Sequence, residues 1–166
     1  MFGSKIARAG LLAVPLCLAC TVSHAEISSP FDAMAGSWSG GGVLSTSDGN
    51  QERLRCRATY DVAGRGEQLH LNLRCASPSY NFDLASDVAY RGGAISGSWT
   101  EASRNASGTL SGSARGDHIT ASARGNNFAA NLSLTTRGGR QSVSIRPEGT
   151  NITSVSLALD RRSASY

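Results

Sequence analysis

Apolar and polar residues alternate along most of this chain, and this alternation constrains the fold more than any other feature. From Leu54 to Val62 every second residue is apolar, and the residues between them are Arg, Thr and Asp. The same period recurs from Leu69 to Cys75 and in later runs, with Gly, Asn and Asp between the runs. A period of two is typical of strands with one buried face. The sequence therefore predicts an all-β domain of about ten antiparallel strands.

A sheet of about ten strands must protect its two edge strands from pairing with other chains. Hairpin-linked strands laid flat would leave two long exposed edges, and closing the sheet removes both. We therefore predict an up-and-down β-barrel of about 8–10 strands, with a β-sandwich as the alternative. Inward positions of the later strands carry small residues, which permit either close strand packing or an open cavity. These residues are Gly97, Gly112, Ala114, Ala121, Ala123 and Ala130. The sequence is compatible with both interiors.

The first 25 residues have the pattern of a signal peptide. Lys5 and Arg8 precede an apolar run from Leu11 to Ala19, and small residues, Ser23 and Ala25, occupy the two positions that a signal peptidase reads. We therefore predict cleavage after Ala25. The apolar run is shorter than the roughly 20 residues of a spanning helix, and no later run reaches that length. The sequence thus predicts no transmembrane helix.

Cleavage there leaves a single domain, residues 26–166, in the periplasm or outside a bacterial cell. An alternative is a lipoprotein signal in which Cys20 carries the lipid. Cys17 then stands where such signals usually have a branched apolar residue. A standard signal peptide is therefore the preferred interpretation.

Two cysteines, Cys56 and Cys75, remain after cleavage, as an even pair in an oxidising compartment. If Ala63 faces Gln68 across the glycine-rich loop between two strands, Cys56 falls directly opposite Cys75. Closing a loop of about 20 residues in this way stabilises a fold by about 3 kcal/mol. We therefore predict a disulfide between the two cysteines.

A Gly-Ser-Trp tripeptide opens the first strand and ends at Trp38, and a second one ends at Trp99. A Gly-x-Trp motif on the first strand resembles that of the calycin superfamily, which includes lipocalins, avidins and fatty-acid-binding-like barrels. In lipocalins this Trp closes one end of the barrel against an Arg near the last strand, which implies Arg161 or Arg162 here. The other lipocalin motifs and the C-terminal helix are absent from the sequence. The resemblance implies a small apolar ligand in the barrel.

We expect an apolar or amphipathic ligand to lie among the large inward aromatic residues Trp38, Tyr60, Phe82 and Trp99. Glu101 is the one carboxylate on an inward row, two residues after Trp99. An acid beside an aromatic ring in a cavity can accept a hydrogen bond from a ligand or act as a general acid. Its place at the end of a strand favours a solvated residue at the rim.

Arginines line the outward face of one predicted strand. Arg53, Arg55 and Arg57 alternate with its apolar residues, and Arg74 lies on the next strand. Such a stripe can bind phosphate or carboxylate groups of an acidic protein or envelope polymer. A solvated face is the preferred interpretation, because Asp61, Asp83 and Asp87 are predicted close enough to neutralise part of the stripe, with Asp83 opposite Arg74. The net charge falls from +4 to +2 without the two basic residues of the signal peptide, so it does not predict nucleic-acid binding.

Residues with catalytic or metal-binding chemistry form no recognisable constellation. His70 and His118 are the only histidines after the signal peptide, and their spacing is not that of a zinc site. Asp87 is predicted opposite His70, as a cross-strand ion pair more simply than as part of a hydrolytic triad. We therefore predict a binding protein without catalytic residues, metal or cofactor.

Overall fold

Ten antiparallel β-strands close into one barrel in the computed structural model, which describes residues 28–163. The strands are β1 (Gly36–Thr46), β2 (Gln51–Ala63), β3 (Gln68–Ala76), β4 (Asn81–Arg91), β5 (Ala94–Glu101), β6 (Ala106–Arg115), β7 (His118–Gly125), β8 (Phe128–Arg137), β9 (Arg140–Glu148) and β10 (Ile152–Arg161). Each strand pairs with its neighbours in the chain, and β1 pairs with β10 to complete the ring. The predicted up-and-down barrel is confirmed, and the sandwich alternative is wrong.

The predicted signal peptide and Cys20 lie outside the described residues. Helical structure within residues 28–163 consists of two single turns, Gly64–Gly66 and Ala102–Arg104. No helix in this part of the chain has the length and apolar character needed to cross a bilayer.

The β2–β3 hairpin has the predicted register. Ala63 faces Gln68, and Cys56 faces Cys75. The two cysteines form a disulfide with their Cα atoms 4.1 Å apart. This short separation is typical of the non-hydrogen-bonded positions of an antiparallel pair. The predicted disulfide is confirmed, and it links two neighbouring strands of the barrel wall.

Inward glycines lie where neighbouring strands approach one another closely. A Cβ atom on Gly97 would overlap the carbonyl oxygen of Asp87, and one on Gly112 would overlap that of Thr120. Glycines at such positions allow the wall to bend sharply, as closure into a barrel requires. At these two positions the small residues predicted from the sequence serve close strand approach.

Residues 29–35 close one end of the barrel. Phe31 and Met34 in this segment are 1% and 2% exposed. The Phe31 ring packs edge-to-face against Tyr90 of β4, with 6.0 Å between ring centroids. Apolar side chains buried to this degree anchor the segment across the opening. We call this the closed end of the barrel.

The first tryptophan is fixed at the closed end by polar and cationic contacts. Trp38 is fully buried, and its indole N–H donates to the carbonyl oxygen of Met34 at 2.7 Å. The Arg161 guanidinium carbon lies 4.7 Å from the centre of the Trp38 ring. Arg161 also donates to the carbonyl oxygens of Ala33 and Ala35. Of the two arginines that the calycin resemblance implied, Arg161 therefore packs on Trp38 and holds the covering segment.

A buried hydrogen-bond chain lies beside Trp38. The Tyr60 hydroxyl donates to Gln141 Oε1 at 2.6 Å, and Gln141 Nε2 donates to the Thr136 hydroxyl at 3.1 Å. Burial raises the pKa of Tyr60 above its ordinary value, and the Gln141 hydrogen bond offsets only part of that rise. Each polar group of the chain has a partner, so the closed end is packed and satisfied.

Candidate functional site

The barrel encloses a hollow lined by apolar side chains. Leu73, Leu110 and Leu134 face inward by strand alternation, yet each remains partly exposed. Mid-strand side chains inside a closed barrel can be exposed only to space within it. The same partial exposure is shared by Leu71, Val88, Ile119, Leu132, Val143 and Ile145. The side chains of residues 28–163 thus leave space inside the barrel, and we call this space the hollow.

The hollow is displaced toward the later strands. Leu44, Leu54 and Leu159, on β1, β2 and β10, are at most 3% exposed and pack tightly. The inward rows of β6, β7 and β8 instead carry short side chains, among them Ala114, Ala121, Ala123 and Ala130. Short side chains fill less of the interior than leucines do. The partly exposed inward aliphatic side chains lie on β3, β4 and β6 to β9, so the hollow lies mainly between β3 and β9.

The second end of the barrel has no covering segment within residues 28–163. It is bounded by five connections of two to four residues each: 47–50, 77–80, 102–105, 126–127 and 149–151. Connections this short join adjacent strands and cannot cross the barrel. We call this the open end.

Two aromatic pairs stand near the open end. The rings of Tyr80 and Phe82 stack with centroids 6.4 Å apart, and Trp99 meets Phe128 edge-to-face at 5.5 Å. The Trp99 indole N–H donates to the Thr109 carbonyl oxygen at 3.2 Å. With its one polar atom engaged, the Trp99 ring contributes apolar surface to this part of the barrel.

Glu101 lies at the rim of the open end, and the expectation that it is solvated is wrong, since it is 8% exposed. Its Oε1 accepts hydrogen bonds from the amide of Asp83 at 2.8 Å, and from the amide and hydroxyl of Ser103 at 3.3 and 2.5 Å. Its Oε2 lies 3.5 Å from Nη1 of Arg104 and has no hydrogen bond among the described residues. Glu101 thus fastens the 102–105 turn to the start of β4.

Opposing influences act on the acidity of Glu101. Burial by itself raises its pKa, but the hydrogen bonds from Asp83 and Ser103 and the positive charge of Arg104 outweigh burial. The pKa of Glu101 therefore lies below its ordinary value, and the carboxylate is ionised at neutral pH. One oxygen is engaged by three donors and the other is covered, so the carboxylate itself is not open to a ligand.

The accessible charged group at this rim is Arg104, which the sequence alone did not indicate as a site residue. Its guanidinium carbon lies 4.7 Å from the centre of the Phe82 ring. Its Nη1 donates to the Asn81 carbonyl oxygen at 2.8 Å and to the Ser103 hydroxyl at 3.2 Å. The side chain is 44% exposed, and its Nε and Nη2 have no hydrogen-bond partner within residues 28–163. Arg104 is thus a positioned cation with donors available at the mouth of the hollow.

The residues predicted to surround a ligand fall into two groups. Trp38 and Tyr60 lie together at the closed end, with ring centroids 6.3 Å apart, and both are almost fully buried. Phe82, Trp99 and Glu101 lie toward the open end. The two groups lie at opposite ends of the barrel, so the structure does not bring all five residues together.

The predicted arginine stripe lies on the outer face of the barrel. Arg53, Arg55 and Arg57 are exposed on β2 and form no ion pair with a described residue. Arg74 stands opposite Arg57 on β3, and its Nε lies 3.3 Å from the Asp83 carboxylate. The predicted pairing of Arg74 with Asp83 across β3 and β4 is confirmed.

The two histidines also lie on the outer face. His70 Nδ1 is 2.7 Å from the Asp87 carboxylate, and His118 Nδ1 is 3.0 Å from the Thr135 hydroxyl. The predicted position of Asp87 opposite His70 is confirmed. In the part of the chain that the structure describes, no three His, Cys, Asp or Glu side chains gather as a metal site would require.

Known proteins resemble this chain in structure. No model of a protein family matches the sequence, and no curated protein matches it either. Rv2717c from M. tuberculosis has a TM-score of 0.64 and 14% identity, covering 79% of this chain and 94% of its own. The S-type phycobiliprotein lyase CPES from Guillardia theta has a TM-score of 0.61 and 10% identity, covering 82% of this chain and 92% of its own. At these identities the likeness shows the fold alone, a calycin-like antiparallel barrel.

Proposed function

We propose that this protein is an exported binding protein that holds a small amphipathic molecule in its barrel. The apolar part of the ligand occupies the hollow, and an anionic group at its end lies beside Arg104 at the open end. The observation that carries the proposal is the partial exposure of inward aliphatic side chains in mid-strand, such as Leu73 and Leu134. Apolar surface inside a hollow is stabilised when an apolar ligand replaces water.

The interior favours an apolar ligand body because its own polar groups are already paired. Tyr60, Gln141 and Thr136 bond to one another, and the Ser86 hydroxyl donates to the Ser98 carbonyl oxygen at 2.8 Å. About ten buried methylene groups contribute about 8 kcal/mol, before the several kcal/mol that association costs. That balance supports reversible binding of a chain-like molecule.

The rim favours an anionic group on the ligand because the charge that a ligand can reach there is positive. Arg104 presents free donors on an exposed edge, while the Glu101 carboxylate is buried behind its own hydrogen bonds. A guanidinium edge binds a carboxylate or phosphate through two parallel hydrogen bonds. Glu101 and Asn81 hold this guanidinium in place, and Glu101 is therefore a positioning residue in the proposal.

Export is the second part of the proposal. The disulfide between Cys56 and Cys75 suits an oxidising compartment, as does the signal-peptide pattern of the first 25 residues. A periplasmic or extracellular location would expose the barrel to amphiphiles outside the cytoplasm.

The proposal is tested by titrating the purified protein with dodecanoate, dodecanol and dodecylammonium while tryptophan fluorescence is recorded. We expect a saturable spectral shift, with dodecanoate binding about tenfold more tightly than dodecanol, and dodecylammonium most weakly. Arg104→Gln should abolish the preference for dodecanoate and leave dodecanol binding unchanged, whereas Arg91→Gln at the closed end serves as the control and should change neither.

The outcomes separate the two parts of the ligand site. Absence of binding by all three amphiphiles would contradict a ligand-holding hollow. Equal binding of dodecanoate and dodecanol by the unmodified protein would contradict the role of Arg104 and leave the hollow as an apolar site. Trp99→Ala should remove the spectral shift, because Trp99 is the tryptophan nearer to the hollow.

A further inference from the structure

The outer face of β2 carries a basic groove that is separate from the barrel interior. The groove has a volume of about 650 Å³ and lies along β1 and β2. Its lining residues are Gly41, Gly42, Val43, Gln51, Glu52, Arg53, Leu54 and Arg55. Arg57 continues the same outward row. Val43, Arg53 and Arg55 are exposed and belong to the outward rows of β1 and β2, so the groove lies on the outer face of the barrel wall.

No side chain rises from the middle of the groove floor, because residue 41 is glycine. Gly41 is the β1 partner of Arg55, and a Cβ atom on Gly41 would overlap the carbonyl oxygen of Leu54. Beyond it, the β10 partner of Gly41 is Ala158, another small residue. Val43 beside Arg53 is 39% exposed, the one exposed large hydrophobic side chain in the part of the chain that the structure describes. The groove thus joins a row of guanidinium groups to a small apolar spot.

Arg53, Arg55 and Arg57 form no ion pair with a described residue, although Glu52 is among the residues that line the groove. Arg57 stands directly opposite Arg74, and like charges in that position destabilise a sheet. Asp83 offsets Arg74, but Arg53 and Arg55 have uncharged cross-strand neighbours on β1. An anionic partner would relieve this repulsion, which makes the row complementary to a line of negative charges.

We propose that this groove binds an extended acidic peptide segment whose carboxylates occur at every second residue. The three arginines lie on alternate residues of a strand, about 6.8 Å apart along its axis. Carboxylates on one edge of an extended peptide repeat at the same distance, so each guanidinium meets one carboxylate. An apolar residue at the end of the acidic run would cover Val43.

A peptide fits this face better than a single-stranded nucleic acid does. Nucleic acids bound without sequence preference are held by aromatic rings on which the bases stack. Every aromatic side chain within residues 28–163 lies inside the barrel or at one of its ends. The basic groove therefore offers charge without a stacking surface.

The test measures fluorescence anisotropy of labelled peptides against the purified protein at low and physiological salt. One peptide carries Glu at three alternate positions followed by Leu, and a second has the same composition with the three Glu contiguous. The protein variants are Arg53→Gln/Arg55→Gln/Arg57→Gln and a control with the same change in charge, Arg91→Gln/Arg124→Gln/Arg146→Gln. The control arginines are exposed on strands away from the groove.

We expect the alternating peptide to bind at least tenfold more tightly than the contiguous one. The groove variant should lose at least tenfold in affinity for the alternating peptide, and the control should stay within twofold. Equal binding of both peptides, equal losses in both variants, or equally tight binding of a single-stranded oligonucleotide would overturn the proposal. The thermal midpoint of the groove variant should not fall, which separates lost binding from lost folding.

Discussion

The two Gly-Ser-Trp tripeptides of this chain meet opposite environments at the two ends of the barrel. Trp38 is fully buried, donates to a backbone carbonyl, and is covered by Arg161 and residues 29–35. Trp99 is also buried, but its neighbours are Phe128 and the short side chains Ala123 and Ala130, beside the hollow. The first tripeptide belongs to the packed closed end, and the second lies beside partly exposed inward side chains such as Leu110 and Leu132. The neighbours decide the role, and the motif does not.

The difference between the ends comes from what the chain places across each of them. An anchored segment covers the closed end, where Phe31 and Met34 fill the remaining space. Only short connections bound the open end within the described residues, and a positioned guanidinium stands at its rim. The closed end should therefore carry stability, and the open end should carry binding. Substitutions at the two ends test that division.

Trp38→Ala should produce the largest loss of stability. Removing a fully buried indole destabilises a protein by about 3–5 kcal/mol, because the cavity it leaves does not collapse completely. Urea unfolding followed by circular dichroism measures this loss. The matched variant Trp99→Ala should lose less stability and should lose amphiphile binding. The division between the ends would be contradicted if Trp38→Ala abolished binding in the folded protein while Trp99→Ala left binding intact.

Enlarging a side chain distinguishes packed from hollow regions. Ala58→Leu on β2 places a leucine in a region where Ala58 is 3% exposed, and overpacking should destabilise the protein by about 1–3 kcal/mol. Leu132→Trp points into the hollow, where Leu132 is only partly buried. We expect it to change stability by less than about 1 kcal/mol and to block the ligand. Thermal unfolding and amphiphile titration measure both effects; strong destabilisation by Leu132→Trp would indicate a filled interior.

The acid stability of the open end depends on Glu101. Because its folded pKa lies below its ordinary value of 4.5, the ionised carboxylate contributes stability above that pH. This contribution is lost as the pH falls through the folded pKa. Glu101→Gln should therefore lower stability at neutral pH and flatten its decline below about pH 4.5, whereas Glu148→Gln, on an exposed carboxyl, should behave like the unmodified protein. Parallel pH profiles of Glu101→Gln and the unmodified protein would refute this role.

Much of the fold follows from local sequence, but the site does not. Strand alternation and one hairpin register were enough to predict the link between Cys56 and Cys75, because neighbouring strands in a meander pair in a fixed order. The burial of Glu101 depends on how the 102–105 turn folds back onto β4, and that turn carries no periodic pattern. Arg104 was missed for the same reason. Its only sequence signal is its position three residues after Glu101.

The position of residues 29–35 across the closed end was equally hard to predict. Phe31 and Met34 lie before the first strand, in a short stretch without alternation. Their burial arises from closure of the barrel, which brings the end of β10 beside the start of β1. The calycin resemblance implied a covered Trp38, but it did not identify the residues that cover it.

The division of the barrel is tested most directly with single-tryptophan proteins titrated with dodecanoate. The chain has two tryptophans, so Trp38→Phe leaves only Trp99 and Trp99→Phe leaves only Trp38. Trp99 alone should show a saturable blue shift and protection from acrylamide quenching, and Trp38 alone should show neither. If the fluorescence of Trp99 did not change on titration, or if only Trp38 responded, a ligand-holding hollow at the open end would be contradicted.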